Sequence, residues 1–354
     1  MAGPDPNAPP ADPLSRAWLT LVTRSSYLPG VVLLIHTLYK HHSIHPIIVQ
    51  YTSTLPSDCI SILESLQSTY PLLRTQPVEA IPLPTGLKTI ASRFDDTLTK
   101  LRAFEPLSAS TLSAIGLHRA PEHITFLDAD MMIFRNPDSV FDIPRPSSDW
   151  IAAHHACLCN IDNDPWAPPE WKRENCPTTP LVHPSALNAD IPHTTPELEK
   201  LDDAGGKQKT YRLMNSGLFV CTPSATLWSR MNHFLQHDPR VPTFAFPDQN
   251  FLDAFFWDRW VPVGWQFNAV KTGRYWHAES WRDEEVRVLH YIVDKPWEKR
   301  VGEDGTAGYL GRDGVTHGWW WREWEEWCEG MGSEEVVEGV RRYVGTKEGE
   351  GKKE

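Results

Sequence analysis

A chain of 354 residues with a net charge of -12 and no basic block is not built to bind nucleic acid. No apolar run approaches the length of a membrane span, so a membrane partner is not expected either. Six cysteines are too few for a disulfide scaffold at this size, which predicts a reduced, cytoplasmic protein.

Met1 to Pro13 is rich in Ala, Pro and Asp. It lacks the charged and apolar regions of a secretory signal, and residues 1–15 are expected to form a disordered arm. Ala17 to Thr23 predicts a buried first strand, followed by a turn over Arg24–Gly30 and a helix over Val31–His41. A strand over Pro46–Tyr51 and a helix over Ser57–Tyr70 follow, then a short strand over Val78–Pro82 and a helix over Thr97–Leu107. Strands alternating with helices predict an α/β fold, with a mostly parallel sheet covered on both faces. Ligands of such sheets bind beyond the carboxyl ends of the strands. Further on, strands are expected at Trp150–Ala153, Leu213–Val220 and Arg287–Tyr291, and helices at Ser224–Gln236 and Asp248–Phe256, the latter with Asp248 as a cap. Trp319–Cys328 reads as an amphipathic helix that docks on the domain through Trp320, Trp324 and Trp327. Residues 331–354 read as a charged tail.

The stretch Ile124 to Phe134 interrupts an apolar run with Asp128 and Asp130. Unpaired carboxylates are too costly to bury, so the pair needs water or a cation. In extended chain both side chains would share one face, and two hard oxygen ligands suit Mg²⁺ or Mn²⁺. A solvated strand end is the plainer alternative. An Asp-nucleophile phosphatase is a third, but it wants Thr or Val where Met132 stands. Cys157, Cys159 and Cys176, with His155 nearby, allow a zinc site, although their spacing fits no standard pattern.

Several stretches together, in order, resemble the glycogenin and galactinol synthase branch of glycosyltransferase family eight. They are Leu21-Val22-Thr23 with Tyr27, Leu98 to Leu101, Phe126 to Asp130, Met214 to Val220, Asp248-Gln249-Asn250, and His290-Tyr291 with Lys295-Pro296-Trp297. The resemblance implies one GT-A (Rossmann-like) domain over 16–330, with 157–210 as a long acceptor-side loop. It implies a retaining hexosyl transfer from a UDP-sugar, UDP-glucose or UDP-galactose, to a small sugar or polyol. Asp128, Asp130 and His290 would hold Mn²⁺ (or Mg²⁺). Leu21, Thr23 and Tyr27 would hold the uridine, and Lys295 the diphosphate. Lys100, Ala129, Asn215, Ser216, Asp248 and Gln249 complete the donor site, with Asp248, Gln249 and Lys100 as the candidate catalytic residues.

This chain departs from the family pattern at Arg24, Ala245 and Val293, where the family has Asn, Asp and Gly. Two alternatives stay open: a primer that glucosylates itself on Tyr275, and a non-catalytic nucleotide-sugar scaffold. Of the two acceptors, a separate small molecule is favoured over Tyr275. A homodimer is compatible with the sequence.

Overall fold

A computed structural model describes residues 15–188, 191–192 and 195–345. The arm expected over 1–15 lies outside these residues except for Ser15, as does the chain beyond 345. The strands are β1 (Arg16–Val22), β2 (Ile47–Tyr51), β3 (Leu73–Pro77), β4 (His123–Leu127), β5 (Met131–Ile133), β6 (Ile151–His155), β7 (Met214–Cys221), β8 (Trp260–Pro262), β9 (Ala269–Val270) and β10 (Val288–His290). Seven of them form the central sheet in the order β3-β2-β1-β4-β7-β6-β8. The β1–β2, β2–β3, β1–β4 and β6–β8 pairs are parallel, and β7 runs antiparallel to β4 and β6.

Alternation along the strands builds a core on each face. In β1, Trp18 and Val22 join one cluster and Leu19 the other; in β4, Leu127 and Phe126 divide the same way. The helix Leu28–Lys40, apolar almost all round, packs in the first cluster with Trp320, Trp324 and Trp327 of the helix Gly314–Gly330. The second cluster stacks Phe126 on Phe219 (5.2 Å between ring centres) and Phe219 on Phe104 (5.3 Å). It is covered by the helices Ala225–His237 and Pro247–Phe255. The docking face expected of the tryptophan helix is therefore the one that is buried.

Chain order reverses between β1 and β4, and this opens a crevice beyond their carboxyl ends. A small second sheet, β5-β10-β9, closes it from one side. There β10 runs antiparallel to β5 and sets His290 opposite Met131.

Three expectations need correction. The third strand is Leu73–Pro77, not Val78–Pro82. It is an edge strand of β2 with few apolar residues, so composition does not mark it. The helix expected over Thr97–Leu107 is present but ends at Phe104 and is of the tighter 3-10 type. The part of the tail that is described contains a helix, Glu334–Arg341, whose Val336, Val337 and Val340 are buried. Ser333 caps this helix, and Tyr343 just beyond it donates a hydrogen bond to Asp58 (2.6 Å) on the helix Ser57–Ser65.

Asp253, buried in the helix Pro247–Phe255, accepts a hydrogen bond from the Met214 backbone N–H (2.8 Å). Burial pushes its carboxyl well above the usual range. The native state thus keeps a proton that the unfolded chain releases above about pH 4, and stability from this group is lost as pH rises from there. Asp253→Asn keeps the accepting oxygen and removes that penalty. Thermal melts should show a higher Tm for the variant at pH 8, with the gain shrinking towards pH 4; equal gains at both pH values would contradict the assignment.

Candidate active site

The turn after β4 carries the aspartate pair. The Met131 N–H bonds back to the Asp128 carbonyl (3.1 Å), so Asp128-Ala129-Asp130 is a turn between β4 and β5 and not extended chain. The two carboxylates converge because the chain leaves one sheet and enters the other there; strand alternation is not the cause.

Each carboxylate has its own lysine. Lys100 Nζ lies 2.8 Å from Asp128 and 2.6 Å from Asp248, and Lys295 pairs with Asp130. Lys100 is 4% exposed. Burial opposes its charge, but Asp128 and Asp248 outweigh burial and hold its pKa above the ordinary lysine value. At Asp130 burial is likewise outweighed, by Lys295 and His290, and the carboxyl is held well below its usual range. Burial wins at Asp128, helped by the neighbouring carboxylates, and raises its pKa.

His290 Nε2 stands 3.3 Å from Asp130 and 3.7 Å from Asp128. Its Nδ1–H donates to Asn268 Oδ1 (3.0 Å), and Asn268 in turn donates to Asn215 Oδ1 (2.9 Å). This chain fixes the tautomer and turns the Nε2 lone pair towards the carboxylates. Gly217 makes room for the ring, since a Cβ there would sit 2.3 Å from His290 Cε1. The ligand atoms of Asp128, Asp130 and His290 lie within 4.8 Å of one another, and two carboxylates with one imidazole fit a hard divalent ion.

A cleft of about 700 Å³ opens over this turn. Every residue expected in the donor site lines it: Leu21, Thr23, Tyr27, Lys100, Asp128, Ala129, Asp130, Asn215, Ser216, Asp248, Gln249, His290 and Lys295. Tyr27 meets Trp297 edge-on, and Lys295 lies over the Tyr27 ring (5.7 Å). Asp248 does not cap its helix; it is buried and accepts from Lys100 and from Ser216 Oγ (2.8 Å). Gln249 Oε1 accepts from the Ser216 N–H (3.4 Å).

The departures from the family pattern also have a place here. Arg24 pairs with Asp96 (3.0 Å) across the mouth. Val293 has φ 62°, the left-handed region that a β-branched residue enters at a cost of about 1–2 kcal/mol. The backbone thus adopts at Val293 a conformation that suits glycine.

The model described as "Glycosyl transferase family 8" matches residues 19–300. The chain belongs to this family. Galactinol synthase 2 of Solanum lycopersicum is 26% identical over 287 residues, covering 80% of this chain and 72% of the relative. Galactinol synthase 3 of Arabidopsis thaliana is 26% identical over 309 residues, covering 86% and 80%. Among solved structures, the galactosyltransferase LgtC in complex with donor and acceptor sugar analogs superposes with a TM-score of 0.51 at 12% identity, over 89% of this chain and all of that one. The glycosyltransferase GlyE of Streptococcus pneumoniae TIGR4 gives 0.50 at 13%, over 89% and 64%. The fold is therefore GT-A, and the family makes the protein a glycosyltransferase.

Motif reading missed Asn268, which lies in none of the motif stretches and hydrogen-bonds His290 Nδ1. Beyond placing 157–210 on the acceptor side, it did not single out the aromatic wall of the cleft, in which Trp166, Trp171 and Phe246 touch one another and Trp276 meets Tyr309. Tryptophan content alone could not separate these rings from core packing. Replacing Asn268 with Ala should free His290 to rotate and weaken divalent-ion binding about 10–100-fold in calorimetric titration. Unchanged affinity in a folded variant would mean that Asn268 does not orient the ring.

Proposed function

We propose that this protein is a retaining, Mn²⁺-dependent transferase that moves a hexose from a UDP-sugar to a hydroxyl of a small sugar or polyol. UDP-galactose is favoured over UDP-glucose, because the relatives are named galactinol synthases and galactinol is a galactosylated polyol. The observation that carries the reading is the convergence of Asp128, Asp130 and His290 with Lys295 in the cleft that Asp248 and Gln249 also line.

Transfer breaks the bond between the anomeric carbon and the phosphate oxygen and forms one to the acceptor oxygen on the same face. The acceptor proton leaves with the phosphate. A divalent ion held by Asp128, Asp130 and His290 would neutralise charge on the departing diphosphate. Lys295 supplies fixed positive charge from the chain itself, already aimed and desolvated. Lys100 and Ser216 lock the Asp248 carboxylate in one orientation, suited to accept hydrogen bonds from sugar hydroxyls. Gln249 faces the same space. The aromatic wall offers flat apolar faces for an acceptor ring. All six cysteines are free, which suits the reduced cytoplasmic setting we assign to it.

Purified protein with Mn²⁺ should hydrolyse UDP-galactose slowly and transfer from it when a cyclic polyol is supplied. Asp128→Asn should lower kcat/KM by on the order of a hundredfold or more. If no UDP-hexose is turned over under any acceptor, the proposal fails.

Tyr275 is not the acceptor in this reading. Its phenol donates to Asp313 (3.4 Å), and burial together with Asp313 raises its pKa well above the ordinary value. Intact mass spectrometry after incubation with UDP-glucose or UDP-galactose and Mn²⁺ should show no added hexose. A hexose ladder lost in Tyr275→Phe would assign the primer role instead.

A further inference from the structure

Outside the cleft's aspartate turn, one cluster of side chains is left without a role. Cys157, Cys159 and Cys176 converge on His277, with their sulfurs 3.1, 3.4 and 3.8 Å from His277 Nε2. All four ligand atoms lie within 4.8 Å of one another. Cys159, Cys176 and His277 are buried and Cys157 is half-buried. His155, the histidine nearest the cysteines in sequence, is not part of the cluster; it packs against Trp260 (4.7 Å). His277 arrives from 101 residues beyond Cys176.

Buried thiols usually act as small apolar groups or pair as disulfides. Neither habit explains three thiols around one imidazole nitrogen. A tetrahedral ion with Zn–S near ~2.3 Å and Zn–N near ~2.0 Å spaces its ligand atoms roughly 3.5–3.8 Å apart, which these separations approach. We propose that Cys157, Cys159, Cys176 and His277 bind one structural zinc ion.

Three soft thiolates and an imidazole select zinc, while the hard Asp128–Asp130–His290 set does not, so the two sites sort their metals by ligand chemistry. Four protein ligands close the coordination shell and leave no position for substrate. The Thr179 hydroxyl, 3.7 Å from Cys159, can donate to a thiolate sulfur. The gain is geometric. Ala156, Leu158 and Asn160 flank the cysteines, Trp276 precedes His277, and all four line the cleft. Zinc would staple two segments distant in sequence together in the lining of the cleft, and so fix the shape of the site where they meet.

The test reads metal, not turnover, so it stands or falls apart from the proposed transfer. The full chain, purified without added metal and passed through EDTA, should retain about one zinc per chain by mass-spectrometric metal analysis. Asp128→Asn should keep that zinc, whereas Cys176→Ser and His277→Ala should lose it. Stripped protein titrated with Co²⁺ should develop the sulfur-to-cobalt charge-transfer band and the intense visible bands of a tetrahedral thiolate site. That measurement on the unmutated chain stands even if the variants do not fold. Absence of zinc together with no thiolate–cobalt spectrum, or a disulfide among these cysteines by non-reducing peptide mapping, would overturn the proposal.

Discussion

Lys100 is the ammonium group around which the site is assembled. It sits between half-buried Asp128 and fully buried Asp248, and bonds the Ser216 carbonyl (3.3 Å) as well. Four elements meet at this one nitrogen: the segment Thr97–Phe104, the turn after β4, strand β7 and the helix Pro247–Phe255. Removing one partner of such a pair leaves an uncompensated buried charge, at about 3–5 kcal/mol. The same geometry creates the site's electrostatic character. Asp128, Asp130 and Asp248 outnumber Lys100 and Lys295, so a surplus of negative charge remains where His290 Nε2 points. In the proposed function that surplus would hold a dication, and the dication in turn the diphosphate.

The second constraint is steric. The turn must lie close to both its covering helix and the smaller sheet. Gly30 lets the helix Leu28–Lys40 approach, since a Cβ there would be 2.5 Å from the Ala129 carbonyl oxygen and from the Trp297 ring. Gly217 does the same for His290 from the side of β7. Trp297 then bonds the Ser26 carbonyl (2.7 Å), tying the segment after Lys295 to the turn that carries Tyr27. The uridine side and the diphosphate side of the proposed donor site are thus parts of one packed unit.

The candidate site residues came from several stretches that resemble the family in order; taken singly, only the two aspartates that interrupt an apolar run stand out, while His290 at a strand end and Lys295 before Pro296-Trp297 do not. Their contacts were less legible still. Asp128 and Asp130 converge through a turn that period-two reasoning placed in a strand, and Asp248 turned inward to a lysine instead of capping a helix. Strand β3, Leu-Arg-Thr-Gln-Pro, has too few apolar residues to announce itself, and only pairing with β2 defines it. The valines at 336, 337 and 340 did carry a helical spacing, but the surrounding glutamates and arginines masked it. What stayed hidden throughout were long-range partners such as Asn268 for His290 and His277 for the cysteines.

The segment after β9 shows how tightly these demands are packed. Lys271 and Asp313 form an ion pair with both side chains fully buried (2.6 Å), and Lys271 also donates to His317 Nε2 (3.0 Å). Burial and the Lys271 charge push the His317 pKa down to about 3, so the imidazole stays neutral and accepts. Asp313 takes the Tyr275 hydroxyl on its other oxygen, which anchors the short helix Gly273–Trp276 from beneath. The next ring, Trp276, is thereby directed into the cleft, and the one after it, His277, towards the three thiols. Three consecutive aromatic residues thus face three different surroundings. The Tyr275 phenol, turned towards Asp313, is one of the contacts that hold this segment, which is the ground for proposing a separate acceptor.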